Sequence, residues 1–204
     1  GDEEFSVTVA NGSIVVSAYD FEETFAVGDV TQIAFDAGIG NDIITFSELV
    51  TKPVVGYGGP GNDQLTGGSG VNRFWGDGGS VSGAAGSDRL IGRASDDEFH
   101  GGGESDILYG YGGSDVLHGD SGADQIIGDD EVGDLTDAPD GFGAGTPGND
   151  EIYGGDDGDM IFAGHGKDVV DAGGGDDTVD GGADDDTIEG GSGNDKVYGR
   201  AGND

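Results

Sequence analysis

Apolar and polar residues alternate along the first part of the chain in a way typical of β-strands. Residues 5–17 read FSVTVANGSIVVS, two alternating runs on either side of Asn11-Gly12, which predicts a β-hairpin with a tight type I′ turn. Residues 21–38 read as longer strands. We therefore interpret residues 1–36 as an N-terminal β cap or as wider solenoid coils, because terminal repeats are usually atypical.

From residue 37 to residue 204 the pattern changes to one that repeats every nine residues. The eighth residue of every complete copy is apolar: Ile44, Leu65, Phe74, Leu90, Phe99, Leu108, Leu117, Ile126, Ile152, Ile161, Val170, Val179, Ile188 and Val197. Alternation along a strand sends this residue to one face and its two neighbours to the other. Two repeats then make one coil of an all-β, parallel β-roll (a β-solenoid), with a strand on each side and a narrow core between them.

The nine-residue register is interrupted at two places. Residues 76–91 and 128–153 are each longer than one repeat, and the register resumes after both. Insertions of this kind are typical of loops on a regular scaffold. The sequence thus predicts a β-roll over residues 37–204 with turn insertions near 76–91 and 128–153.

Residues 1–6 fit positions four to nine of a repeat, with Glu3 and Phe5 in the sixth and eighth places, so we expect a piece of a longer array.

Composition alone would allow a second interpretation, a disordered acidic segment. The chain has 47 glycines, 43 acidic residues against 7 Lys and Arg, a formal net charge of −36 and no cysteine. Disorder does not keep a nine-residue register, so the repeat favours a folded array. The charge excludes nucleic acid as a partner and favours cations. No apolar run approaches the roughly 18 residues that a membrane span needs.

The sixth position of the repeat is a carboxylate in all copies but one. The residues are Asp42, Asp63, Asp88, Asp97, Asp106, Asp115, Asp124, Asp150, Asp159, Asp168, Asp177, Asp186, Asp195 and Asp204, and Asn72 is the exception. Turns on one side recur every second repeat, so these side chains are predicted to stack in two columns about 4.8 Å apart along each column. Carboxylates at that spacing repel each other unless a cation lies between them, in which case the interaction becomes attractive. Oxygen-only ligands at a flexible site favour a hard dication, and calcium over magnesium.

The repeat pattern G-G-x-G-x-D-x-U-x is clearest in three blocks: GGPGNDQLT (58–66), GGDDGDMIF (154–162) and GGSGNDKVY (190–198). Over residues 37–204 the chain resembles the RTX, or hemolysin-type, family of calcium-binding nonapeptide repeats. The resemblance implies a right-handed parallel β-roll that folds as calcium binds. It also implies about ten calcium ions, each held between a turn and the next turn on the same side. Asp177 would then share ions with Asp159 and Asp195, and Asp150, Asp168, Asp186 and Asp204 would belong to the other column.

Some turns depart from the family pattern. Asn72 offers a neutral oxygen in place of a carboxylate. Non-glycine residues occupy the fourth position at Ser95, Glu104, Asp157 and Asp184. We expect the ion sites at these turns to differ from the regular ones.

No catalytic motif stands out in the sequence, and we expect no enzymatic activity. His100 and His118 both occupy the ninth position and are 18 residues apart, so they are predicted to stack on one outer face. Zinc or copper binding is one interpretation of this pair. A solvent-facing ladder that continues Trp75 and Tyr153 is favoured, because the pattern supplies no third ligand.

The opposite outer face is predicted to carry an exposed apolar stripe, formed by Ile91, Ile107, Tyr109, Ile127, Met160 and Phe162 at seventh or ninth positions. A second copy of the chain, a neighbouring domain or the inserted loops could cover it.

Our first hypothesis for the function is a calcium-binding structural module of a secreted or cell-surface protein, such as an adhesin, matrix or filament component. It would become rigid on binding extracellular calcium, after export by a type I system. The alternative is the C-terminal folding and secretion module of a type I-secreted hydrolase such as a protease or lipase, or of an epimerase. Ice binding is disfavoured, because the third positions form no file of threonines.

Overall fold

The computed structural model describes residues 1–18, 21–80, 83–129 and 147–204, and within these ranges the chain forms two sheets. One contains β1 Glu4–Ala10, β2 Ser13–Ala18, β3 Phe21–Ala26, β5 Ile43–Phe46, β7 Gln64–Thr66, β9 Arg89–Arg93, β11 Ile107–Tyr111, β13 Gln125–Ile127, β15 Met160–His165, β17 Thr178–Ala183 and β19 Lys196–Tyr198. The other contains β4 Ile33–Asp36, β6 Val54–Tyr57, β8 Asn72–Trp75, β10 Glu98–Gly103, β12 Val116–Ser121, β14 Glu151–Asp156, β16 Val169–Gly174 and β18 Thr187–Glu189.

From β4 onward, successive strands alternate between the two sheets. Each strand pairs in parallel with the strand two places away along the chain, as β10 does with β12 and β11 with β13. Each coil therefore consists of two repeats, with one strand on each side. This arrangement confirms the predicted all-β, parallel β-roll.

The eighth residues of the repeats form the core between the sheets. From Ile44 to Val179 they are almost fully buried. Burying a side chain of this size contributes roughly 1.5–3 kcal/mol, and one such residue per short strand explains how strands of three to six residues hold together. The core opens toward the last coil, where Ile188 is half-buried and Val197 is 47% exposed.

The two insertions leave the register of the strands intact. Leu65 pairs with Leu90 and Leu117 pairs with Ile152, although more residues separate each pair than the two repeats of a regular coil. The described strands on either side of each insertion are therefore paired as regular neighbours. Residues 81–82 and 130–146, which belong to these insertions, lie outside the described residues.

The N-terminal strands continue one of the two sheets. Strands β1, β2 and β3 form an antiparallel meander, and β1 also pairs in parallel with β5, so that Phe5 lies beside Ile44. Asn11 and Gly12 have φ angles of 51° and 77°, the left-handed conformation that a type I′ turn requires. The predicted hairpin is therefore confirmed.

The predicted apolar stripe is only partly exposed, and the prediction is wrong for Ile91. This side chain is 0% exposed, because it lies in the ladder between Thr66, itself buried, and the half-buried Tyr109. Ile107 and Ile127 are also half-buried. Met160 and Phe162 are the clearly exposed members, at 46% and 38%.

Helical structure within the described ranges is limited to a single 3-10 turn at Val27–Asp29. No helix in this part of the chain has both the length and the apolar character needed to cross a lipid bilayer.

Candidate metal columns

Most turns of the roll have left-handed backbone at their second and fourth positions, which explains why glycine dominates both. Gly164 and Gly166, for example, have φ angles of 112° and 130°. Glu104, Asp157 and Asp184 adopt the same conformation at fourth positions, with φ angles of 71°, 71° and 88°. The turn geometry is therefore retained at these three departures from glycine, whereas Ser95 does not adopt the left-handed conformation. The three left-handed residues are strained by about 1–3 kcal/mol each.

The sixth-position carboxylates are arranged in two hydrogen-bonded columns, one along each row of turns. In each column, Oδ1 of one residue accepts a hydrogen bond from the backbone N–H of the sixth residue one coil earlier, at 2.7–3.1 Å. The first column contains Asp42, Asp63, Asp88, Asp106, Asp124, Asp159, Asp177 and Asp195, and the second contains Asn72, Asp97, Asp115, Asp150, Asp168, Asp186 and Asp204.

All fourteen predicted carboxylates thus lie in a column. Asp177 is linked to Asp159 on one side and to Asp195 on the other, the neighbours that the repeat predicts. At the N-terminal end, the N–H of Glu3 donates to Oδ1 of Asp42 at 2.5 Å, so Glu3 occupies a sixth position. The columns are buried along most of their length, whereas Asp195 is half-buried and Asp204 is exposed.

The second oxygen of most of these carboxylates is buried and accepts no hydrogen bond. This holds for Oδ2 of Asp42, Asp63, Asp88, Asp106, Asp115, Asp124, Asp150, Asp159, Asp168, Asp177 and Asp186. A buried polar atom without a partner costs about 1–3 kcal/mol, and more when it is charged. So many unpaired acceptors in two rows indicate that the carboxylates are shaped for a partner outside the polypeptide.

The surroundings of these oxygens fit a metal ion with oxygen ligands. A Cβ placed on Gly58 would overlap Oδ2 of Asp63 and the carbonyl oxygen of Gly76, and the same relation holds for Gly76 with Asp88 and the carbonyl of Gly101. Carboxylate and carbonyl oxygens therefore converge at the first-position glycine, which has no side chain to fill the space between them. A flexible set of such oxygens is typical of calcium sites, whereas magnesium demands a stricter octahedron.

Burial makes the charged form of these carboxylates unfavourable. It raises the pKa of Asp88, Asp115, Asp124 and Asp150 to about 8, of Asp63, Asp97, Asp106 and Asp159 to about 7, and of Asp168 to about 6. The backbone hydrogen bond that each accepts lowers the pKa, and neighbouring carboxylates raise it further. The columns thus favour neutralisation, which a proton or a dication can supply.

The turn of Asn72 is built differently, because the protein supplies its own donors there. The side-chain oxygen of Asn72 accepts a hydrogen bond from the N–H of Gly68 at 3.1 Å. Its side-chain nitrogen donates to the carbonyl oxygen of Gly68 at 3.2 Å and to Oδ1 of Asp97 at 3.0 Å. Asp97 is also the column member whose Oδ2 accepts a backbone hydrogen bond, from the N–H of Arg93 at 3.2 Å.

The guanidinium of Arg93 completes this turn. Its Nε donates to the carbonyl of Gly67 at 2.7 Å, and Nη2 donates to the carbonyl of Phe46 at 3.3 Å. Sequence reasoning identified Asn72 as a departure but missed Arg93. The available signal was a long cation at the second position of its repeat, where glycine is usual.

Comparison with protein-family models gives matches over most of the repeat region. The model of the RTX calcium-binding nonapeptide repeat, which spans four copies, matches residues 55–81, 80–108, 100–131, 144–179 and 171–204. A comparison with curated proteins found no match.

Proposed function

Because the chain belongs to the family of RTX calcium-binding nonapeptide repeats, we propose that its two aspartate columns hold the calcium ions and couple ion binding to folding. The repeats form a structural calcium-binding module of a kind typical of secreted proteins. The ligands that we assign are the sixth-position carboxylates, from Asp42 to Asp204, together with carbonyl oxygens of the turns.

The observation that carries this assignment is the row of buried Oδ2 atoms without hydrogen bonds. Most column residues use Oδ1 to hold the preceding coil and leave Oδ2 for an ion, as Asp177 does. Calcium between successive turns would neutralise the carboxylates, and we propose about ten ions in all, each held by several oxygens.

At the level of the whole protein, we propose a secreted or cell-surface component, such as an adhesin, matrix or filament protein, exported by a type I system. Extracellular calcium is abundant enough to fill sites with dissociation constants of about 10⁻⁴–10⁻³ M. The chain would then be exported flexible and would become a rigid rod outside the cell. A non-enzymatic role follows from the same proposal.

The alternative is a C-terminal folding and secretion module of a type I-secreted hydrolase, such as a protease or lipase, or of an epimerase. The calcium chemistry of the roll is the same in both cases, so the residues of the columns do not distinguish them. The sequence of the full-length gene does, since the alternative requires a catalytic domain elsewhere in the protein.

Calcium stoichiometry tests the assignment of the columns. We expect about ten ions per chain by elemental analysis after equilibrium dialysis against millimolar calcium, once the free calcium of the dialysate is subtracted. Retention of two ions or fewer by a folded chain would overturn the assignment.

A further inference from the structure

The outer face of the eight-stranded sheet carries a continuous row of stacked rings. Tyr57, Trp75, His100, His118 and Tyr153 occupy the ninth positions of successive strands and are paired in register. Their centroids are 5.0, 5.6, 4.3 and 4.7 Å apart in that order, and the rings from Trp75 to Tyr153 are within 4° of parallel. The predicted ladder is therefore present, with its two imidazoles at the closest spacing.

A carboxylate lies beside the two imidazoles. Asp120 follows His118 by two residues in β12 and has a left-handed backbone, with a φ angle of 72°. Its Oδ2 is 3.3 Å from Nδ1 of His100. One ligand atom from each of His100, His118 and Asp120 lies within 4.8 Å of the other two. The third ligand that the nine-residue pattern did not supply is thus provided by the second position of the next turn.

This cluster differs from the aspartate columns in place and in chemistry. It lies on the strand face of β10 and β12, whereas the columns lie in the turns that precede the strands. Calcium selects oxygen ligands, while imidazole nitrogen suits zinc, copper and nickel. A set of two imidazoles and one carboxylate is one of the arrangements in which zinc keeps an open fourth position for water.

The two imidazoles must leave their stacked arrangement to bind one ion, because a metal ion lies near the plane of each imidazole that binds it. Zinc–nitrogen distances of about 2.0–2.1 Å in a tetrahedral site place two ligand nitrogens about 3.3 Å apart. The stacked imidazoles, with centroids 4.3 Å apart and planes 3° from parallel, must therefore rotate until their ring planes converge on the ion and their nitrogens approach this distance. His100 has room on its other side, where Trp75 is 5.6 Å away. The rings are also partly exposed, so an ion can enter from solvent.

We propose that His100, His118 and Asp120 form a surface site for one borderline divalent metal ion of the zinc and copper type. The ion would link two successive coils of the roll through β10 and β12. It would bind in addition to calcium, because the two kinds of site share no residue.

Zinc titration of the calcium-saturated protein tests the proposal, since excess calcium keeps the aspartate columns filled. We expect calorimetry to show one zinc ion bound per chain. His118→Gln and His100→Gln should each weaken zinc binding at least tenfold, and Asp120→Asn should weaken it several-fold. His165→Gln is the matched control, because it removes the remaining histidine from a turn on the other side of the roll, and it should change the affinity less than twofold.

Circular dichroism in calcium first establishes that each variant is folded. If a histidine variant does not fold, Asp120→Asn replaces it in the zinc titration, because Asp120 is exposed. Copper(II) bound to the folded protein should give an electron paramagnetic resonance spectrum with coupling to two nitrogens, and His118→Gln should remove one of them. Zinc affinity that is unchanged in His100→Gln and His118→Gln, equal weakening by His165→Gln, or the absence of zinc binding to the unaltered chain would each overturn the proposal.

Discussion

The backbone N–H of Asp115 donates to Oδ1 of Asp150 at 2.9 Å, although 35 residues separate them, against 18 in the regular coils. The column is therefore continuous across the longer insertion. The same holds at the shorter insertion, where Asp63 and Asp88 are linked at 2.7 Å across 25 residues. Both columns are thus continuous across the insertions, as the proposed rows of calcium sites require.

Replacing Asp177 by Ala should remove the ion sites on both sides of it in the first column and spare the second column. Its Oδ1 holds the N–H of Asp159, and its Oδ2 is one of the buried oxygens without a hydrogen bond. We expect about two fewer calcium ions per chain by elemental analysis. Asp171→Ala, at an exposed ninth position outside both columns, is the control and should retain the full number. Uniform loss from both columns would contradict the assignment.

Acidity should stabilise the calcium-free roll and weaken calcium binding. Burial raises the pKa of Asp88, Asp115 and Asp124 to about 8, from 3.8 for an unperturbed Asp, so the folded chain binds more protons than the unfolded chain between these values. The free energy of unfolding without metal should therefore fall as the pH rises from about 4 to about 8.

Far-ultraviolet circular dichroism of calcium-stripped protein between about pH 8 and about pH 5 measures this effect, because β-structure that is lost at the higher pH should return as the carboxylates are protonated. A parallel calcium titration should show its midpoint moving to higher calcium at the lower pH, because protons and calcium compete for the same oxygens. Greater stability of the stripped protein at the higher pH would show that the carboxylates are not buried in the way described.

Replacing Arg93 by Ala should destabilise the calcium-loaded protein by about 2–3 kcal/mol, because two carbonyl groups lose a charged donor. These are the carbonyls of Gly67 and Phe46. Arg73→Ala is the matched control. It removes an exposed ion pair with Glu98, worth about 0–1 kcal/mol. Urea denaturation in excess calcium gives both values, and similar small losses in the two variants would show that the Arg93 guanidinium does not stabilise this turn.

Met160 and Phe162 form the exposed part of the predicted apolar stripe, and we propose that they mediate self-association. The calcium-loaded chain should then sediment as a species larger than a monomer, and Met160→Ser combined with Phe162→Ser should sediment as a monomer. Leu49→Ser is the control, since Leu49 is 58% exposed and is not part of the stripe. A monomeric unaltered chain, or association that survives the double substitution, would refute self-association through this surface.

The parts of the molecule that sequence could predict are those that repeat. Leu117 and Ile152 keep the eighth position across an insertion, and Asp150 keeps the sixth, because the backbone ladder forces equivalent residues into line. The burial of Ile91 could not be predicted, because alternation assigns a face to a residue but does not say how completely its neighbours cover it.

Arg93 and Asp120 could not be predicted for a related reason. Each acts once, through a side chain that leaves its own turn to reach a particular atom, and a single occurrence leaves no periodic signal. The columns were therefore predictable from the repeat. The hydrogen bonds of Arg93 and the position of Asp120 beside the two histidines could be found only from the structure.

We propose that calcium in the two columns makes folding of the roll favourable, and far-ultraviolet circular dichroism at neutral pH with and without excess EGTA tests this coupling. We expect β-structure in calcium and its loss over most of the repeat region in EGTA, because the buried carboxylates of the columns then lack a counter-charge. A chain that shows the same β-structure and the same urea midpoint in both solutions would contradict it.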